Sequence, residues 1–426
     1  MKPVLQIALD FVELKRALKV AEEAVKGGAD WLEAGTPLIK SEGLNSVREL
    51  KKKFPNKKIV ADLKVMDTGR YEVEAAAKAG ANIAIILGVA DNSTIKEAVE
   101  AGKNYGCEIM VDLLNVPNIE KRAIEIENLG VDYICIHLGI DQQMLGLDPI
   151  EELKKISRKV KIPLAIAGGI NSETAAKAVK AGASIIIVGG AITKSENATI
   201  ETKKIKRAIM LRKEIKTKLY KKYLNPLEVF KIVSTPNISD AMHRTSSLEE
   251  IKLCSGKKIV GRAITVRTYP GDWAKPVEAL EIAKKGDVIV IDAGGVGPAV
   301  WGELASHSAK RKGIAGVVVW GAIRDLEEIK KIKFNAFSKL VCSNAGEPKG
   351  FGEINIPIKI SGVLIRPQDY IVADSDGVIV IPKEKAIEIA NRALDIYEKE
   401  NRIREEIHRG ETLSEVQELK KWEKVI

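Results

Sequence analysis

Eight short apolar runs divide the first 198 residues, separated by stretches with a helical pattern. They are VLQIAL (4–9), WLEAG (31–35), KIVADLK (58–64), IAIILG (83–88), CEIMVDL (107–113), DYICIHL (132–138), IPLAIAGG (162–169) and SIIIVGG (184–190). The phrases GGAD, KAGAN, NLGVD and KAGAS place a glycine just before the next run. There a left-handed residue ends a helix and turns the chain back toward the sheet. Near-continuous β-branched runs fit strands covered on both faces. An open doubly wound sheet would also alternate in this way. Eight repeats in about 200 residues instead predict closure into a (β/α)8 TIM barrel.

Such a barrel uses less than half of the 426 residues, so further domains are expected. We place the barrel at 1–210 and a basic helical connector at 199–226, overlapping the last barrel helix. A second, mixed α/β domain is placed at 227–400, and a helical C-terminal extension at 401–426. In the second domain, Gly362, Gly377 and an Asp-Gly pair mark hairpin turns in PIKISGVLIRPQDYIVADSDGVIVIP. A long charged helix over 382–405 and a shorter one within 410–426 are expected to cover a subunit face.

The net charge of +10 suggests nucleic acid until it is located. Residues 199–222 hold ten Lys and Arg against two Glu, so most of the excess belongs to the connector. Aromatic residues make up 4% of the chain, with no stacking pattern, so the segment reads as a solvated helix rather than an RNA site. No run of about 18 apolar residues exists, and the chain opens directly on strand-like sequence, so neither a membrane span nor a leader is expected. Four cysteines without a CxxC pair read as buried thiols in a reducing, cytoplasmic compartment. Abundant Lys and Glu with five Gln is the pattern of a heat-adapted source.

In a TIM barrel the active site lies where strands end, and that is where the polar residues of this region fall. Asp10 follows the first run and Glu33 lies in the second. Asp62, Lys64 and Asp67 close the third, and Asp112 and His137 end the fifth and sixth. Taken singly, Asp112 reads as a helix cap and His137 as a structural histidine. Glu33 is harder to explain that way, because a buried carboxylate is costly unless paired or metal-bound. Asp62 and Lys64, two apart, share one face of a regular strand. Glu33 and Asp62 offer the oxygen ligands that Mg²⁺ prefers. Lys64 beside carboxylates would stay charged and stabilise an enediolate or move a proton. The pairs Gly168-Gly169 and Gly189-Gly190 suit a phosphate, with a short helix after the eighth strand adding its dipole.

With LQIALD, WLEAGTPLIKSEG, ADLKVMDTG, HLGIDQQ, AGGI and VGGAIT in view, residues 1–210 resemble 3-hexulose-6-phosphate synthase, of the orotidine-monophosphate-decarboxylase suprafamily. The DxKxxD motif carries that resemblance. It implies Mg²⁺ (or Mn²⁺) and a reversible aldol condensation of formaldehyde with ribulose 5-phosphate through an enediolate. It also implies a dimer in which Asp67 reaches the neighbour's site, His137 as proton shuttle, and Lys64, Asp67 and Asp10 as further catalytic groups. The related 3-keto-gulonate-phosphate decarboxylase typically carries an arginine just after the histidine. Here Leu138, Gly139 and Ile140 follow His137, then Asp141-Gln142-Gln143, which favours the synthase.

In the second domain a Gly-rich turn precedes Glu303, and Arg324-Asp325 follow a strand. Read alone, the Arg-Asp pair is as readily a surface ion pair as a carboxylate and metal site. The segments DAMHR, GRAITV, PGDWAKPVEAL, GDVIVIDAGG, WGELA, GAIRD and ADSDGVIVIP resemble the ribonuclease-E-regulator-like fold (a swivelling β/β/α domain), shared with 4-hydroxy-4-methyl-2-oxoglutarate aldolase and oxaloacetate decarboxylases. In the aldolase members the site would comprise Gly294, Gly295, Gly297, Glu303, Arg324 and Asp325, with Asp325 a metal ligand. The same family holds non-enzymatic, protein-binding regulators, so a regulatory fusion is the competing reading. Its members form trimeric rings, and a dimeric barrel joined to a trimeric ring would build a hexamer or cage.

Overall fold

β1 (Val4–Leu9), β2 (Trp31–Ala34), β3 (Lys58–Val65), β4 (Ile83–Leu87), β5 (Glu108–Asp112), β6 (Tyr133–His137), β7 (Leu164–Ala167) and β8 (Ile185–Val188) form a closed barrel in sequence order. Each strand pairs in parallel with the next, and β1 closes against β8 with Val4 opposite Ile185. This is a computed structural model describing residues 2–245 and 247–423. The chain divides into two compact units, Met1–Lys222 with Glu398–Ile426, and Tyr223–Tyr397.

Alternation along each strand sorts the barrel's core. On β1, Val4 and Ala8 point inward with Trp31, Val60, Ile83, Met110, Ile185 and Ile187. Leu5, Ile7 and Leu9 point outward beneath the helices, with Ala17, Val20 and Ile205. Burying each such Leu or Ile stabilises the fold by about 1.5–3 kcal/mol. The glycines expected to end helices, Gly28, Gly80, Gly130 and Gly182, all have positive φ.

The basic segment departs from the helix expected up to residue 226. The last barrel helix, Ala198–Leu211, ends with Arg212 in the left-handed region. Residues 213–217 run without regular structure, and a turn at 219–220 precedes Tyr223. The barrel supplies their hydrogen bonds instead. Ser172 Oγ donates to Ile215 O at 2.7 Å, Thr217 N donates to Glu173 Oε1 at 2.9 Å, and Asn171 Nδ2 donates to Tyr220 O at 3.3 Å. A lysine-rich segment has good helix propensity, but propensity is a weak prior against such contacts.

The C-terminal extension does not begin at 401, because one helix runs from Ala386 to His408. Its turns from Glu398 onward belong to the barrel unit. There Arg402 pairs with Glu23 at 3.0 Å and Glu406 at 2.7 Å, so this segment covers its own barrel rather than only a subunit face.

The second unit holds β9 (Lys252–Ser255), β10 (Ile259–Arg267), β11 (Val288–Asp292), β12 (Ala299–Trp301), β13 (Gly316–Ile323) and β14 (Ala336–Val341). It continues with β15 (Glu353–Ile354), β16 (Ile358–Ile360), β17 (Val363–Ile365), β18 (Tyr370–Asp374) and β19 (Gly377–Ile381). A mixed sheet runs β19-β18-β10-β11-β13-β14-β9, with β12 against β13 and β15 against β10. The hairpins β16–β17 and β18–β19 turn at Gly362 and Gly377 as their sequence implies. Among the described residues no helix is long and apolar enough to cross a membrane.

Candidate active site

Parallel closure puts the C-terminal ends of all eight strands on one rim, around a cavity of about 480 Å³. Asp10, Glu33, Asp62, Lys64, Asp112, His137, Gly168, Gly169, Gly189 and Gly190 all line it. Asp67 does not; it is exposed in the loop after β3, where Thr68 Oγ1 approaches it at 3.4 Å.

Asp62 and Lys64 meet, but not through regular strand alternation. Ala61 pairs with Ala84 and Val65 with Ile86, so Asp62, Leu63 and Lys64 oppose Ile85 alone. Lys64 takes φ 50°, a left-handed conformation that costs a non-glycine residue roughly 1–3 kcal/mol. This bulge turns its ammonium back over the cavity, 3.0 Å from Asp62 Oδ2 and 3.4 Å from Asp112 Oδ2. Thr36 Oγ1 donates to Asp62 Oδ2 at 2.6 Å. Burial opposes the Lys64 charge, but Asp62 and Asp112 outweigh it and hold the ammonium above its usual range.

Asp112 is the main residue that single-position reading undervalued. It does cap locally, accepting from Leu114 N at 2.9 Å through Oδ1. Its other oxygen stands 2.7 Å from His137 Nδ1. Burial would raise its carboxyl, yet the His137 charge and hydrogen bond, with Lys64, keep it below the ordinary range. A carboxylate held ionised only accepts hydrogen bonds, so Nδ1 of His137 carries the proton and Nε2 is left for chemistry.

Glu33 is buried. Gln6 Nε2 donates to its Oε2 at 2.5 Å, while Gln6 Oε1, also buried, has no partner among the described residues. Burial, then the charges of Asp62 and Asp10, push the Glu33 carboxyl well up. Asp10 keeps solvent contact at the rim, but the surrounding walls and Asp62 raise it too. A Cβ on Gly35 would come within 2.2 Å of Asp10 Oδ1, so that position needs glycine. Four carboxylates thus face one lysine, an excess of negative charge that suits a hard divalent cation. Among the described residues no three His, Cys, Asp or Glu side chains stand close enough to cage a metal. Glu33 and Asp62, both on the cavity lining, are the pair that could offer oxygens to a Mg²⁺ otherwise held by water or substrate.

The glycine pairs follow β7 and β8, with Gly189 beside Asp10. Gly168 has φ 101°, and a Cβ there would meet Leu138 O at 2.4 Å. A Cβ on Gly190 would strike the ring of Tyr220 at 2.2 Å. Sequence reading also missed Gln6, Thr36, Gln143 and Tyr220. Gln6 had a visible signal, a lone amide within an apolar strand, whereas Tyr220 arrives from the connector by tertiary folding.

In the second unit a cavity of about 730 Å³ is lined by Glu303, Arg324 and Asp325, together with Trp273 and Trp301. Asp325 Oδ2 lies 3.4 Å from Arg324 Nε and accepts from Glu303 N at 3.2 Å. Glu303 Oε1 lies 3.0 Å from His307 Nε2. Gly294, Gly295 and Gly297 do not line that cavity; Gly295 instead lies against Trp320.

Comparison with known proteins divides the chain at the same place. Residues 3–205 match the family described as Orotidine 5'-phosphate decarboxylase / HUMPS, and residues 235–380 match the RraA-like family, Aldolase/RraA. The chain is 44% identical over 207 residues to a 3-hexulose-6-phosphate synthase of Bacillus subtilis, covering 48% of this chain and 98% of that protein. A crystal structure of 3-hexulose-6-phosphate synthase from Salmonella typhimurium is 35% identical, covering 50% of this chain and 99% of that one, with a TM-score of 0.48. The structure of an RNA-processing inhibitor, RraA, from Thermus thermophilis is 32% identical over 35% of this chain and 92% of that one, with a TM-score of 0.33.

Proposed function

We propose an aldolase acting on a sugar phosphate and formaldehyde, from the premise that the chain belongs, through its barrel, to the Orotidine 5'-phosphate decarboxylase / HUMPS family alongside the 3-hexulose-6-phosphate synthases. The observation that carries this reading is the convergence at the rim: Lys64 between Asp62 and Asp112, and Asp112 on His137.

The phosphate of ribulose 5-phosphate sits at the Gly168-Gly169 and Gly189-Gly190 loops, where missing side chains let backbone N–H groups approach. His137 Nε2 takes the C1 proton, with Asp112 fixing the ring and balancing the charge it gains. Lys64, held protonated, stabilises the negative charge that develops on the enediolate oxygens. C1 then attacks the formaldehyde carbon and a C–C bond forms as the sugar's C2 carbonyl is restored, while the formaldehyde oxygen takes the proton held on His137 and becomes a hydroxyl. Reversal releases formaldehyde. Glu33 and Asp62 would hold a divalent cation, which when bound supplies electrophilic stabilisation to the sugar oxygens. Asp67, exposed in one protomer, is assigned to a neighbour's cavity in a dimer, and a trimeric second domain would make a hexamer. The chain's place is the cytoplasm.

The second cavity supports a lyase-like reading on a small carboxylate, with Arg324 for the anion and Asp325 for a cation. Oxaloacetate decarboxylation that disappears in Asp325→Ala tests it.

For the barrel, the test is Mg²⁺-dependent loss of formaldehyde with ribulose 5-phosphate in the full chain. Activity should vanish in Asp62→Ala. No consumption by the folded parent would sink the assignment, and loss only in Asp325→Ala would move it to the second domain.

A further inference from the structure

The family match ends at residue 205, yet the cavity wall does not. Tyr220, from the basic segment, lines the cavity and is buried. Its ring lies against Gly190, as the clash of an added Cβ shows. Its hydroxyl donates to Gln143 Oε1 at 3.4 Å. Gln143 Nε2 in turn donates to Leu138 O at 2.8 Å and sits where a Cβ on Gly168 would meet it at 3.1 Å. One side chain therefore braces both glycine loops.

That ring also carries cations. Lys222 Nζ stands 4.2 Å and Lys194 Nζ 5.4 Å from its centroid. Such contacts hold an ammonium near an aromatic wall. Lys194 also acts on the Asp10 carboxyl, so its charge is felt at the rim.

We infer that residues 212–222 complete the phosphate end of the barrel cavity: Tyr220 positions both glycine loops, and Lys222 with Lys194, held against its ring rather than in the cavity lining, adds positive potential behind that wall for a phosphate monoester. The inference rests on the reading that this cavity takes a sugar phosphate. It assigns the segment's basic character to a ligand, and makes part of the barrel's site from chain beyond the family's own domain.

Steady-state kinetics with ribulose 5-phosphate and formaldehyde test it in the full chain, comparing the parent with Tyr220→Phe, Lys222→Gln and Lys218→Gln. Lys218 is exposed and, unlike Lys222, is not held over the Tyr220 ring, so its variant controls for net charge alone. In Tyr220→Phe and Lys222→Gln the KM for ribulose 5-phosphate should rise ~3- to 10-fold, with kcat within ~2-fold of the parent. The KM for formaldehyde and the melting temperature should not move, a split that a merely structural role would not give. Parent-like KM values in both variants, or an equal rise in Lys218→Gln, would overturn the inference. If the parent itself turns over no ribulose 5-phosphate, the functional reading fails separately, and inorganic phosphate as titrant decides the segment's role. Weaker phosphate binding in both variants then supports the inference, and unchanged binding overturns it.

Discussion

Asp112 Oδ2 lies 2.7 Å from His137 Nδ1 and 3.4 Å from Lys64 Nζ, so one oxygen orients the histidine ring and holds the lysine's charge. Asp112→Asn keeps the shape but offers the ring an amide that no longer enforces the Nδ1 proton. The expected result is a fall in kcat of ~10²–10⁴-fold, the range of a lost general acid–base contribution. The KM for ribulose 5-phosphate should change little. A kcat within a few-fold of the parent would show that Asp112 serves only as the cap of Leu114.

The eight strands were legible because β-branched runs and helix-ending glycines repeat locally. So were the strand ends, where Asp62, Lys64 and His137 break an apolar pattern. What Asp112 does was not legible, since capping Leu114 and orienting His137 demand the same residue at the same place. The bulge at Lys64 was hidden too, because two-residue spacing predicts the same neighbours without it. Tyr220 and the end of the helix at Leu211 were set by Asn171, Ser172 and Glu173, more than forty positions away from their partners in sequence. Gly294 and Gly295, read from sequence as part of the second domain's site, take positive φ in a turn outside the second cavity's lining.

Arg402 is fully buried in the barrel unit and shared by Glu23, Glu406 and the Ser195 carbonyl. Arg402→Met keeps much of the apolar stem but leaves Glu406 to Arg16 and Glu23 to Arg409, with the buried guanidinium between them gone. Breaking a buried pair from one side costs ~3–5 kcal/mol, and the barrel's melting temperature should fall by roughly 6–20 °C. Arg402→Lys should recover only part of this, because a point charge cannot serve both carboxylates as the guanidinium does. An unchanged melting temperature in Arg402→Met would show that the segment after Glu398 adds no stability to the barrel.

Asp272 ties a loop of the second domain, accepting from Ala274 N at 3.0 Å, Lys349 N at 3.1 Å and Phe351 N at 2.9 Å. Burial opposes its charge, but these N–H groups win and hold the carboxyl below its ordinary value. A depressed folded value means that its stabilisation is present above the unfolded value of about 4 and is lost as pH falls through the folded one. Asp272→Asn should cost ~1–3 kcal/mol at neutral pH. Urea unfolding of the second domain at pH 7 and again near pH 3 checks this (both values chosen to bracket the carboxylate range). The gap between parent and variant should narrow in acid, and a gap that widens there would reverse the assignment.

Glu33 gives the opposite sign. Burial and the charges of Asp62 and Asp10 raise its carboxyl, so the folded state binds its proton more tightly than the unfolded chain does. That contribution is complete below the unfolded value and is lost as pH rises toward and through the raised one, so at neutral pH a carboxyl at this position weighs against the metal-free fold. Glu33→Gln removes the charge while leaving an oxygen for Gln6 Nε2. Without metal the variant should therefore melt above the parent, by about 2–4 °C for each kcal/mol relieved. With Mg²⁺ the order should reverse. A cation at a hundredfold excess over its Kd stabilises the parent by ~2.7 kcal/mol, and the variant, short of one ligand, should gain less than about half of that. Differential scanning calorimetry with chelator and then with Mg²⁺ reads both effects in one protein pair. A variant that melts lower without metal would mean that the buried carboxyl does not weigh against the fold. An equal Mg²⁺ gain in both proteins would take Glu33 out of the donor set and leave Asp62 to hold the cation with substrate and water.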